Sequence, residues 1–321
     1  MANIFSFRRK SSEKPDEIGF GETFIDTRHR LINKDGTFNV IRKGRMSWTP
    51  YQDLIEMGWL HFISVNLLFY LLVNVFFALL YLATDAHLDP SNFDAPLKER
   101  FLTAFFFSIQ TFTTVGYGYL HPFGLVENII AGLNAFAGWL SFALITGLFF
   151  ARFSKPQARI IFSKQCIVTP YNGGKALMVR IANLRNNRIT DVEVRMTMTY
   201  VENTTGRLIR KYIELPLQLD RVVTLPLNWT IVHKIDEISP LKGHDKESLK
   251  ALRPEILLFI KAYDETYAQQ VYANSSFVYS DIEWGVRFRT MYEAGQKGTI
   301  LHLDQINTIE PIEFPLEEDD I

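Results

Sequence analysis

Two stretches of this chain, residues 59–84 and 129–151, contain no Asp, Glu, Lys or Arg. As helices, at 1.5 Å per residue, each is long enough to cross roughly 30 Å of hydrocarbon. That pair constrains the fold more than any other feature and makes this a membrane protein. The remainder of the 321 residues leaves room for about one more domain. A net charge of −1 gives no global basic field, so nucleic acid is not expected as a partner. The single cysteine, Cys166, excludes an intramolecular disulfide and reads as core filler. The first apolar run begins at Trp59 and is too long for the core of a secretory signal.

Basic residues set the orientation. Ten Lys and Arg between Arg8 and Arg45 precede the first span, and Arg152, Lys155 and Arg159 follow the second. Between the spans stand only Lys98 and Arg100. Positive-inside bias therefore predicts both termini in the cytoplasm of a multi-pass protein. Residues 1–46 form a cytoplasmic N-terminal segment, polar and predicted disordered to about residue 20, with a turn and a short strand over 30–41. Residues 47–58 read as an interfacial slide helix: Ser47 or Thr49 can cap it, and Pro50 suits its first turn. Tyr51, Leu54, Ile55 and Met57 favour one face, with Trp48 and Trp59 at headgroup level.

The pore-domain expectation covers 59–152, with a first span at 59–84 and a second at 126–152. Asn66 and Asn74 lie in the first span, where polar groups at depth face other helices. A polar outer loop, 85–97, leads to residues 98–112, too short to span but long enough for a re-entrant helix. Its carboxyl end would aim a negative partial charge at the cavity beneath.

After that helix comes Thr113-Thr114-Val115-Gly116-Tyr117-Gly118. Gly116 and Gly118 tolerate positive φ, so successive carbonyls can all point one way. Four such strands around an axis would stack rings of backbone oxygens from Thr114, Val115, Gly116 and Tyr117, with the Thr114 hydroxyl as an inner ring. Rings of this kind replace the hydration shell of K+. A plain glycine turn is the better account of an isolated G-Y-G, but not of T-V-G-Y-G set between two spans.

From about residue 160 the period changes. Val192, Val194, Met196 and Met198 alternate with polar residues, as in a half-buried strand. Asn172-Gly173-Gly174 is a hairpin signal, and further runs at 208–215, 222–233, 255–263, 269–279 and 285–291 suggest a β-sandwich. Residues 153–321 are thus a linker and a cytoplasmic β-sandwich domain with an acidic tail. The seven histidines lack any ligand spacing such as H-E-x-x-H, and nothing suggests an enzyme.

Several motifs then point to one family. Arg30-Leu31-Ile32-Asn33-Lys34-Asp35-Gly36-Thr37-Phe38-Asn39-Val40, Phe107-Ser108-Ile109-Gln110-Thr111 and Ala151-Arg152-Phe153-Ser154-Lys155-Pro156 resemble the opening, pore helix and span exit of inward-rectifier potassium channels. Asn183-Leu184-Arg185, the run from Thr230 to Leu241, and Glu283-Trp284-Gly285 are similar to their cytoplasmic motifs. The resemblance covers about 30–290. It implies an α+β membrane protein: two transmembrane helices, a re-entrant pore helix and filter, and an immunoglobulin-like β-sandwich, assembled as a homotetramer. Gln110 and Leu120 replace a paired glutamate and arginine of eukaryotic members, and the flanking cysteine pair is missing. Both departures resemble the prokaryotic branch and imply a prokaryotic inner membrane.

The resemblance also implies roles. Phe150 matches the bundle-crossing position, where four phenyl rings would close by dewetting. Gly138 matches a hinge, for which close packing is an equal account. Phe142 takes the place of the cavity acid that strong rectifiers use to hold Mg²⁺ or polyamines, so weak rectification is expected. Asp191 matches an acidic site on the cytoplasmic pore wall. Arg152, Lys155, Arg159 and Arg185 resemble contacts to anionic phospholipid such as PIP2, although such a cluster also serves simply to set topology. No cofactor is implied beyond K+ as permeant ion and membrane lipid as a partner. A two-span channel gated by a nucleotide- or Ca²⁺-binding domain would need βαβ alternation after 160. A membrane-anchored β-sandwich module would leave the filter composition unexplained.

Overall fold

The computed structural model describes residues 19, 30–44, 48–84, 88, 95–156, 158–204 and 207–312, without the side chains of 203, 204 and 207. The expected disorder before residue 20, the Ser47 cap, most of the outer loop and the acidic tail lie outside the described residues. The chain divides into two compact units, one of residues 44–155 and one of 156–321 with the segment up to 43.

In the first unit, α1 (Pro50–Glu56) opens on proline; Thr49 stands at its N-cap but makes no side-chain capping bond. Helices α2 (Trp59–Ala83) and α4 (Leu125–Phe153) are each long and apolar enough to cross a membrane. Between them, α3 (Leu97–Phe112) has 16 residues, or about 24 Å of rise, and falls short of a span. The three helices share a core of Phe77, Ala78 and Tyr81 from α2, Ala104 and Phe107 from α3, and Ile130 from α4, joined by Leu120.

The second unit is a sandwich of two five-stranded sheets. One holds β1 (Ile160–Phe162), β2 (Cys166–Tyr171), β3 (Gly174–Asn183), β7 (Asn228–Ile235) and β10 (Ile282–Trp284). The other holds β4 (Ile189–Thr204), β5 (Arg207–Glu214), β6 (Arg221–Thr224), β8 (Glu255–Asp264) and β9 (Gln269–Val278). Inward residues of both sheets, among them Leu177, Val179, Ile181, Val194, Met196, Met198, Leu258 and Ile260, form one core with Cys166. Asn172 (φ 48°) and Gly173 (φ 76°) turn the β2–β3 hairpin with both central residues in the left-handed region, as a two-residue turn requires.

Two differences from the sequence reading have local causes. The run 222–233 is two strands, because Pro226 cannot donate to a ladder; β6 pairs with β4 and β7 with β3, in opposite sheets. A further helix, α5 (Lys246–Leu252), is nucleated by a capping box between Asp245 and Ser248. His233 is a structural residue: Nδ1 lies 2.7 Å from the Pro216 carbonyl and Nε2 lies 2.8 Å from Ser239 Oγ. Burial lowers its pKa.

Segment 30–39 closes on itself through a single bridge, Ile32 to Phe38, where a turn and a short strand were expected, and docks on this domain by side chains. Leu31 and Ile32 bury against Leu257. The Leu31 amide donates to both oxygens of Glu255, at 2.9 and 3.1 Å, and Arg30 pairs with Asp281 at 2.7 Å. Burial raises the Glu255 carboxyl above its ordinary value, although Ser276, the Leu31 amide and Arg210 favour the charged form. The folded chain therefore holds that proton to higher pH than the unfolded chain. The resulting stability is complete below the ordinary carboxylate value and is lost as pH rises through the raised one. Melting temperature followed across the acidic range should show this step in the parent protein and not in Glu255→Gln. A parent-minus-variant difference that is constant with pH would contradict it.

Candidate ion-conduction site

Helix α3 ends at Phe112, and Thr113 caps it, its amide and Oγ1 both donating to the Ile109 carbonyl at 2.9 and 2.7 Å. The Thr114 amide donates to the Thr111 carbonyl at 3.1 Å, and the three amides after it are organised by one residue. Val115 N–H and Gly116 N–H donate to the Gln110 carbonyl at 2.8 and 3.2 Å, and Tyr117 N–H donates to Gln110 Oε1 at 3.2 Å. Positive φ recurs at every second residue: Thr114 (58°), Gly116 (53°) and Gly118 (88°). Alternating hands along a short chain can turn successive carbonyls to one side, and here the amides of Val115, Gly116 and Tyr117 are all held by Gln110 of α3. The sequence reading assigned this freedom to the two glycines alone. At Thr114, a β-branched residue, the left-handed conformation costs about 1–2 kcal/mol, and the hydrogen bonds to Gln110 hold the loop that imposes it. Residues 113–118 are exposed in the single chain, while Gln110 and Leu120 on either side are buried.

Those two residues explain how the loop is braced without an ion pair. Gln110 supplies a neutral acceptor, and Leu120 joins the apolar core of Phe77, Phe107 and Ile130. Of the three consecutive phenylalanines on α3, Phe107 is buried, Phe105 is half-buried and Phe106 is largely exposed.

On α4, a Cβ at Gly138 would lie 1.9 Å from the Phe112 carbonyl oxygen, so this glycine is explained by close packing of α4 on the end of α3. Phe142 and Phe150 are 73% and 74% exposed, so neither packs inside the protomer. Phe149, half-buried, meets Phe62 at 5.1 Å between centroids, and Phe153, itself 65% exposed, lies 5.0 Å from Trp59.

Arg152 is engaged within this unit. Its Nη1 donates to the Leu54 and Ile55 carbonyls at 2.5 and 2.9 Å and its Nη2 to Met57 at 2.7 Å. The guanidinium also covers the rings of Trp59 and Phe62, 4.6 and 4.5 Å from their centroids. It thus closes the carboxyl end of α1, which has no basic residue of its own in its last turn. Lys155 pairs with Glu56 at 3.2 Å across exposed surface. In the other unit, Arg159 is exposed, and Arg185 Nη1 reaches the Tyr267 hydroxyl at 3.4 Å. Asp191 sits at a register shift in β4 with φ 51° and pairs with Arg221 at 2.7 Å, so its charge is met locally. That partner raises the Arg221 pKa. Among the described residues no group of three or more His, Cys, Asp or Glu is arranged to hold a metal.

Two apolar helices bracketing a short helix and an alternating, outward-facing loop define a two-span ion channel. Comparison with known proteins agrees. Residues 67–155 match the family model described as ion channel, and residues 160–318 match that of the inward rectifier potassium channel C-terminal domain. Inward rectifier potassium channel Kirbac3.1 of Paramagnetospirillum magnetotacticum is 34% identical over 264 residues, covering 81% of this chain and 88% of that relative. Inward rectifier potassium channel irk-1 of Caenorhabditis elegans is 24% identical over 315 residues, 89% of this chain and 58% of the relative. Inward rectifier potassium channel 4 of Mesocricetus auratus is 27% identical, covering 81% of this chain and 68% of the relative. Among solved structures, Spo0M, sporulation control protein, from Bacillus subtilis superposes on 44% of this chain and 61% of that chain at a TM-score of 0.22 and 11% identity, and carries no argument. The chain belongs to the inward-rectifier potassium channel family. It is an ion channel and not an enzyme.

Proposed function

We propose that four copies of this chain surround one pore in a prokaryotic inner membrane, with both termini cytoplasmic, and that residues 113–118 are its K+ filter. One observation carries the reading: three consecutive amides turned onto Gln110 while positive φ recurs at Thr114, Gly116 and Gly118. That backbone presents the oxygens of Thr114, Val115, Gly116 and Tyr117 to an axis on its exposed side, where they stand in for the water around K+.

Gating belongs to the other end of α4. Phe150 forms the apolar constriction, Phe142 lines the cavity above it, and Gly138 serves packing. Rectification is weak, because α4 carries one carboxylate, Glu127, in its first turn, and Asp191 is paired with Arg221. Anionic phospholipid regulates opening through basic residues of each unit, Lys155 in one and Arg159 and Arg185 in the other, while Arg152 holds the α1 corner. A basic residue near the membrane surface attracts anionic headgroups by about 1 kcal/mol.

Uptake of radiolabelled Rb+ into proteoliposomes, with and without Ba²⁺ and with and without PIP2, tests these statements separately. Ba²⁺-sensitive uptake is expected, and no uptake in any lipid sinks the filter assignment. Uptake that ignores PIP2 sinks the lipid reading alone.

A further inference from the structure

Three fully buried polar side chains, one from each long helix of the 44–155 unit, meet at α3: Asn74 of α2, Ser108 of α3 and Asn134 of α4. Ser108 Oγ donates to Asn74 Oδ1 at 2.8 Å. Asn134 Nδ2 donates to Ser108 Oγ at 3.1 Å and to the Ser108 carbonyl at 3.3 Å. The Asn74 amide group is anchored in turn, donating to the Tyr70 carbonyl at 2.8 Å. One hydroxyl therefore gives a proton to α2 and accepts one from α4, and the three helices are tied at a single point.

Such a knot has a specific mechanical effect. Helices in lipid are not driven together by water, and apolar contacts between them are non-directional, so hydrogen bonds fix their azimuth. Gly138 against the Phe112 carbonyl limits how closely α3 and α4 approach but says little about how α3 is rolled. Ser108 and Gln110 are two positions apart, about 200° around the helix. The knot therefore holds one face of α3, and the face away from it carries the Gln110 amide that receives Tyr117 N–H. On a helix about 5–6 Å in radius including side chains, a roll of about 10° moves a side-chain tip by about 1 Å. That is enough to break a 3.2 Å hydrogen bond and release the loop.

We propose that Asn74, Ser108 and Asn134 are positioning residues for ion discrimination: they set the roll of α3, and through Gln110 they set the width of the oxygen rings. The inference rests on reading 113–118 as the filter and assigns its rigidity to a site on the opposite side of the pore helix.

The test is the ratio of Rb+ to Na+ uptake by purified channels in proteoliposomes, with tetramer retention on gel filtration read alongside. Ser108→Ala and Asn134→Leu should lower the ratio by about tenfold, the equivalent of one or two interhelical hydrogen bonds, while remaining tetrameric. Ser108→Thr keeps the hydroxyl and should keep the parental ratio. An unchanged ratio in both disruptive variants, beside a discriminating parent, overturns the role of the knot alone. Dissociation into protomers overturns it too, since it would make the knot a device for assembly. A parent that does not discriminate overturns the filter reading and this inference with it.

Discussion

Gly138→Ala is expected to lower the melting temperature of the assembled channel and to abolish Ba²⁺-sensitive Rb+ uptake. The added methyl carbon would sit 1.9 Å from the Phe112 carbonyl oxygen, 2.7 Å from its carbon and 2.9 Å from its Cα. All three are backbone atoms, so no side chain can swing aside, and the helices must part by about an ångström to restore ordinary contact. Overpacking of this kind costs about 1–3 kcal/mol, and more where backbone has to move. Phe112 is the last residue of α3, and Thr113 follows directly, so the displacement enters the loop at its first residue. A hinge would behave otherwise. If Gly138 acts by bending α4, alanine changes how often the pore opens and leaves the melting temperature of the closed channel alone. An unaltered melt with altered flux would therefore favour the hinge.

How much of this was legible in the sequence follows the range of the forces involved. The spans were legible because lipid selects on composition over some 20 residues at once. The loop proposed as the filter stood out because its residues are contiguous and two of them are glycines. Its brace did not: Gln110 looks like a lost charge until its Oε1 is seen 3.2 Å from the Tyr117 amide. Nor did positive φ at Thr114, since a β-branched residue is the last place to expect it. The basic cluster showed its charge but not its partners. Arg152 carries the right charge for a headgroup, yet it is held by three carbonyls at the end of α1, nearly a hundred residues earlier. A signal existed, because a helix with no basic residue in its last turn leaves carbonyls that need a donor. The partner of Asp191 was equally hidden: Arg221 is 30 positions away on another strand. Pairings across a fold are where one-dimensional reading stops.

Phe150→Ala carries the second large expectation: basal Rb+ uptake should rise by on the order of tenfold, equivalent to about 1.4 kcal/mol off the barrier at the gate. Phe150 leaves three-quarters of its surface bare in the protomer, while the neighbouring Phe149 is half-buried against Phe62 of α2. An exposed ring on a membrane span faces lipid, a neighbouring copy or the pore axis, and the gate reading takes Phe150 to the axis. Four such rings around an axis leave a gap lined only by hydrocarbon, which water deserts and through which a hydrated ion passes at high cost. Alanine removes the rings without disturbing the α2–α4 contact, so the pore should wet while the fold and the Rb+ to Na+ ratio stay as they were. Phe149→Ala provides the contrast. It deletes the ring that meets Phe62 at 5.1 Å and Trp59 at 6.1 Å, and should lower the melting temperature with no rise in basal uptake. Unchanged basal uptake in Phe150→Ala would remove this residue from the gate, and a gain in both variants would put the closure in α2–α4 packing.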